Sequence, residues 1–260
     1  MSDFILGHND IGYKSTFAGV TWQPDLNDSM LKRELITAVA RSLDLSAFNL
    51  DITLSVDQPV ESLGIINHNL SKTGTYRWRA YSNPARTNLI YDSTTITVGK
   101  YYDKMEYQTT CDATGSEIST SYWRLTLSDP SNTYGYFQIG RIFIGQRLYF
   151  DKNMDYGLQL GIEETNSDLE TSQVGIETFI DVGNKRTATF DFSLLCYNEG
   201  NEFLRFSMGN GIIGACLFEF NPDDKQEGLK TFICRQSSLS PLDYSSYNIN
   251  NFAISLVEIF

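Results

Sequence analysis

The chain has 260 residues, of which 41% are hydrophobic and 20% charged, with 6 prolines; this is the composition of one large or two ordinary packed domains and not of a disordered chain. Lys and Arg number 20 against 32 Asp and Glu, and the net charge of −12 argues against duplex DNA or an anionic membrane as a partner. The longest apolar stretch, residues 211–220, is too short to span a bilayer, and the N-terminus lacks the basic and apolar regions of a secretory signal.

In chain order, residues 1–24 read as an N-terminal arm containing Trp22. Residues 30–39 are balanced between a short helix, for Leu31 and Leu35, and a strand, for Thr37 and Val39. Residues 49–56 alternate apolar and polar positions and predict a half-buried strand, residues 63–67 a buried run. Residues 74–81 alternate again, with Tyr76, Trp78 and Ala80 on one face and Arg77, Arg79 and Tyr81 on the other. Residues 101–121 suggest an added hairpin. Residues 122–127 and 136–144 predict two more strands, the second interrupted at Gly140, and the turn residues 128–132 connect them. Trp123, Leu125, Leu127, Phe137, Ile139, Ile142 and Ile144 are expected to face the core.

The second half continues in this style at residues 156–162, 187–195, 212–220, 229–236 and 252–260. One helix interrupts it, with Asn201 as its cap, Phe203, Leu204 and Phe206 on one side and Gly209 closing it. The predicted fold is therefore all-β: a jelly-roll β-sandwich over residues 25–145, then a second sandwich or barrel-like domain over 146–260 with one short helix.

Chemistry is sparse. The two histidines, His8 and His68, are too few for a multi-histidine metal centre, and the four cysteines stand apart, with no CxxC pair. They read as reduced thiols, Cys196 and Cys216 slow to react within apolar strands. No phosphate-binding, dinucleotide, hydrolase-elbow or zinc-protease motif occurs, so no catalytic residue, cofactor or metal is expected. Acidic pairs such as Glu163-Glu164 and Asp223-Asp224 read as solvated loop charges. Trp22, Arg79, Tyr81, Asn83 and Asn88 are the candidate contacts for a sugar or a neighbouring subunit, because flat rings stack on sugars while polar neighbours hold hydroxyls.

Charge is uneven. Residues 1–145 carry 12 basic against 15 acidic residues, a balance of −3, and residues 146–260 carry 8 against 17, a balance of −9. An acidic half could face passing DNA without holding it, with Glu163, Glu164, Asp168, Glu170, Asp223 and Asp224 as the loop candidates.

The strings Ile5-Leu6-Gly7-His8-Asn9-Asp10-Ile11-Gly12, Leu63-Gly64-Ile65-Ile66-Asn67-His68-Asn69-Leu70-Ser71, Tyr76-Arg77-Trp78-Arg79 and residues 122–130 with 135–145 together resemble structural proteins of tailed bacteriophages. That resemblance implies a galactose-binding-like jelly roll, then a β-barrel-like tail-assembly module. It also implies a non-enzymatic virion protein of the tail, made in the host cytoplasm and assembled with other tail proteins as a ring or in several copies. A carbohydrate-binding module for a host surface glycan is the alternative. His68 is expected to form a structural turn at a strand end.

Overall fold

The computed structural model describes residues 4–33, 37–46, 48–99, 108–164, 170–171, 177–178, 184–222, 228–246 and 249–259. They form antiparallel sheets and one α-helix. The largest sheet has ten strands. From one edge it runs through Gln159–Glu164, Asn184–Leu195, Ile249–Glu258, Thr231–Gln236, Cys216–Phe220, Phe4–His8, Arg141–Arg147, Pro59–His68 and Gln108–Ser119, with Asp243–Ser246 added against Ile249–Glu258. The sheet is thus continuous across Gly145.

The strand that makes it continuous is Phe4–His8, within the expected arm. Phe4 pairs with Phe220 and Gly7 with Leu217 on one side, while Gly7 pairs with Arg147 on the other. The chain then turns at Asn9, whose φ of 52° lies in the left-handed region that Asn tolerates. Asp10 follows and fixes the turn: its carboxylate accepts the backbone N–H of Gly12 (2.8 Å) and Ile144 (3.1 Å) and pairs with Arg141 at 2.7 Å. Both side chains of this pair are buried, and Tyr13 covers the guanidinium at 5.1 Å.

The first half is a β-sandwich. A six-stranded sheet, ordered Thr16–Ala18, Phe48–Thr53, Tyr122–Ser128, Thr75–Tyr81 and Leu89–Asp92 with Ile96–Thr97 beside Thr75–Tyr81, packs on the Pro59–His68 side of the large sheet. Its inner positions alternate as expected. Leu50, Ile52, Trp78, Trp123, Leu125, Ile139, Ile142 and Ile144 are all fully buried in one core with Phe137. The expected irregularity at Gly140 is real: Gln138–Ile139 pairs with Ala40–Arg41, and Arg141–Arg147 crosses into the large sheet. A 3-10 turn at Met30–Lys32 replaces the balanced helix or strand there, and residues 34–36 lie outside those described. Of the expected hairpin, residues 101–107 lie outside the described set, and Gln108–Ser119 is a strand against Pro59–His68.

The large sheet curls. Gln108–Ser119 returns against Cys216–Phe220 and Thr231–Gln236 and encloses Ile5, Ile66, Cys111, Phe143, Leu217 and Ile233. This barrel-like element draws strands from both sides of Gly145. Its interior is narrow because it is built on glycines: a Cβ on Gly64 would lie 2.4 Å from Leu217, and one on Gly7 2.7 Å from the Phe143 ring. The remaining core is a phenylalanine cluster, Phe4, Phe150, Phe190, Phe192, Phe218, Phe232 and Phe252, onto which the helix Tyr197–Asn210 lays Phe203 and Phe206. Phe203 stacks on Phe252 with ring centroids 3.7 Å apart.

Three expectations in this half are corrected. The helix starts four residues earlier than Asn201: Cys196 is its N-cap, its thiol facing the Glu199 backbone while the Glu199 carboxylate accepts the Cys196 N–H at 2.8 Å. Cys196 is accordingly exposed and not buried in a strand. Ile212 and Ile213, read as strand, form an exposed turn after the helix, because the Gly211 N–H bonds back to Ser207 and the strand begins only at Cys216.

Candidate functional site

The five sequence candidates do not meet in one place. Arg79 and Tyr81 lie on the outer face of the six-stranded sheet, and Asn83 and Asn88 on the loop that follows. Trp22 stands at the opposite end of that sheet, bridged to Ser42 and edge-on to Phe48 at 5.8 Å. Most polar groups of the four clustered residues already hold the fold. Arg79 donates to Thr126 (2.7 Å), Asn83 closes its loop on the Thr87 and Asn88 N–H groups, and Asn88 donates to Ser82. Tyr81 is buried, with Arg124 over its ring at 5.9 Å, so it offers no stacking platform.

The remaining motifs also resolve into structure. His68 ends Pro59–His68, and its Nδ1 accepts the Leu70 N–H at 3.2 Å, as a strand-end turn requires. Asn69 ties that turn to the chain before the sheet crossing, accepting from Gln138 N–H and donating to the Tyr136 carbonyl. Of the acidic loop candidates, Glu163 is exposed on an edge strand. Asp168, Asp223 and Asp224, and the side chains of Glu164 and Glu170, lie outside the described residues.

A groove of about 380 Å³ lies where the helix crosses the join between the two halves. His8 and Asn9 come from the end of the N-terminal strand, Gln146, Arg147, Leu148 and Tyr149 from the end of Arg141–Arg147 and beyond, and Glu202, Arg205 and Phe206 from the helix. Helical spacing puts Glu202 and Arg205 on one face, where they form an exposed ion pair. Asn9 donates to Gln146 at 2.5 Å, fixing both amides at the rim. The Arg147 guanidinium reaches back to the Phe4 carbonyl at 2.9 Å and lies 5.7 Å from the Tyr149 ring, which is 57% exposed.

His8 adjoins Phe206, ring edge to face, at 5.2 Å. Burial holds its pKa down at about 4, against the Asn9 hydrogen bond and the Glu202 charge that favour the protonated form. The imidazole is therefore neutral at neutral pH, and its Nδ1 is buried without a partner among the described residues. The groove thus combines an exposed ring, a neutral imidazole, two amides, one carboxylate and two guanidinium groups. Its volume suits a small polar ligand. Among the described residues no group of three His, Cys, Asp or Glu side chains could hold a metal. Sequence reasoning missed the groove because its residues come from three distant segments.

No protein-family model matches the chain, and no curated protein matches it. Among solved structures, it is similar to the family 32 carbohydrate-binding module of C. perfringens NanJ, solved with galactose: 16% identity, 55% of this chain and 100% of that one, TM-score 0.42. The family 32 module of Streptococcus pneumoniae EndoD gives 16% identity over 53% of this chain and 99% of that one, TM-score 0.41. Chitosan-binding module 1 of a Paenibacillus sp. IK-5 chitosanase/glucanase gives 10% identity over 54% and 100%, TM-score 0.42.

Proposed function

We propose that the protein is a non-enzymatic carbohydrate-binding protein that seats a sugar of a host surface glycan in the groove beside Tyr149. The observation that carries this reading is the exposed Tyr149 ring lining one groove with the Gln146 amide and the Glu202–Arg205 pair. A pyranose presents a C–H face that packs on an aromatic ring and a rim of hydroxyls that both donate and accept. Glu202 accepts from a hydroxyl, and Arg205 and the amides donate. Glu202 and Arg205 exchange each other for a hydroxyl at small cost, because an exposed ion pair contributes little.

The test is binding of the full chain to an immobilised panel of neutral and acidic oligosaccharides, then calorimetry on the best of them. An isolated 1–145 fragment is unsuitable, since it deprives Phe4–His8 of its Cys216–Phe220 partner. Tyr149→Ala is expected to weaken binding at least tenfold with an unchanged Tm. Loss of binding in Trp22→Ala but not in Tyr149→Ala would move the site to the jelly-roll loops, and a panel with no ligand would overturn the reading. A second reading, a structural part of a phage tail joined to its neighbours through subunit interfaces, draws support from the sequence resemblance and from the apolar edge strand described next.

A further inference from the structure

The edge of the large sheet is formed by Gln159–Glu164, which among the described residues pairs on one side only, with Asn184–Leu195. Leu160 lies opposite Ala188 and Ile162 opposite Arg186, so both side chains continue the face that carries the phenylalanine core. Yet Leu160 is 43% and Ile162 73% exposed. The segment Gln159-Leu160-Gly161-Ile162-Glu163 contains no Lys or Pro, the residues that usually blunt a sheet edge. The apolar surface extends from Leu160 into a neighbouring groove lined by Met154, Tyr156, Leu158 and Phe220.

We propose that this edge is the contact between two copies of the chain, paired antiparallel about Gly161 so that the large sheet runs on from one protomer into its partner. The sequence fits a second copy in this register. With Gly161 on the two-fold axis, Leu160 of each protomer lies opposite Ile162 of the other, on the same face, and the four apolar side chains cover one another. Glu163 then lies opposite Gln159, a carboxylate against an amide donor. Parallel in-register pairing would set Glu163 against Glu163, and like charges directly opposite are unfavourable. Charge therefore selects the antiparallel two-fold arrangement.

Sedimentation velocity of the full chain over a concentration series tests this. The wild type is expected to populate a dimer, and Ile162→Lys, at a solvent-facing position that does not enter the core, to raise its dissociation constant at least about tenfold, with an unchanged Tm at concentrations where both proteins are monomeric. Register is read by oxidation in a Cys196→Ser background, which removes the exposed thiol while Ser keeps the helix cap. L160C/I162C is expected to cross-link between chains, because directly opposed residues approach within disulfide reach, whereas L160C alone places its thiols diagonally and cross-links poorly. A monomer up to about 100 µM, an oligomer unaffected by Ile162→Lys, or equal cross-linking by L160C alone would each overturn the proposal.

Discussion

His68 makes the protein's stability depend on pH in a way that one substitution isolates. Its side chain is fully buried, and burial lowers its pKa from 6.5 to about 3. The folded state therefore keeps the ring neutral where the unfolded chain takes up a proton. Because the folded pKa is the depressed one, the contribution is complete above about pH 6.5 and is lost as pH falls toward 3. Between about pH 7.5 and pH 5 the unfolded histidine gains close to one proton and the folded one almost none, which amounts to about 2 kcal/mol of lost stability. That is a large fraction of the 5–15 kcal/mol typical of a folded protein. His68→Asn keeps an acceptor near Nδ1 for the Leu70 N–H and removes the titration. Urea unfolding of both proteins across this range should show the wild type losing about 2 kcal/mol more than the variant, whatever the variant's stability at neutral pH. Parallel curves would refute the reasoning. His8, with a folded pKa of about 4, adds a similar acid sensitivity to both proteins and cancels in the difference.

Asp10→Ala removes the carboxylate paired with the Arg141 guanidinium, whose side chain is only 4% exposed, and should cost about 3–5 kcal/mol in urea unfolding; a loss below about 1 kcal/mol would mean the clasp is not what docks the N-terminal strand. With an aromatic disulfide reagent, Cys196 should react at once. Cys216, whose thiol burial pushes up to about 12, and Cys234, also raised by burial, should react only on unfolding, and rapid titration of more than one thiol in the native protein would contradict this burial.

Much of the first half is legible in the sequence because its strands have one wet and one dry face. The alternation at residues 49–53, 75–81 and 122–127 is the alternation of burial in the structure, and Gly140 is readable as the break where one strand serves two sheets. Phe4-Ile5-Leu6 has no such alternation, since Phe4 and Leu6 enter one core and Ile5 another. An apolar run with both faces buried does not name its partners. The helix start and its exit turn are hard to read for a related reason: Cys is an uncommon cap, and the apolar pair Ile212-Ile213 resembles a strand start although it is exposed. At the candidate site, residue type was readable but company was not. Arg79 and Asn83 look free in sequence, yet their partners Thr126 and Thr87 occupy them, whereas Tyr149 acquires its groove only when the helix docks beside His8.

The five residues of Phe4–His8 leave the ribosome well before either of their pairing partners, Arg141–Arg147 and Cys216–Phe220. Until Cys216–Phe220 emerges, the N-terminal strand has one free edge, and neither the curled barrel nor the phenylalanine core can close around it. Such long-range pairing makes folding slow, and the nascent chain must be kept from pairing with other chains while it waits. Translation rate and chaperone supply, more than the stability of the finished protein, would then limit how much soluble product a cell yields.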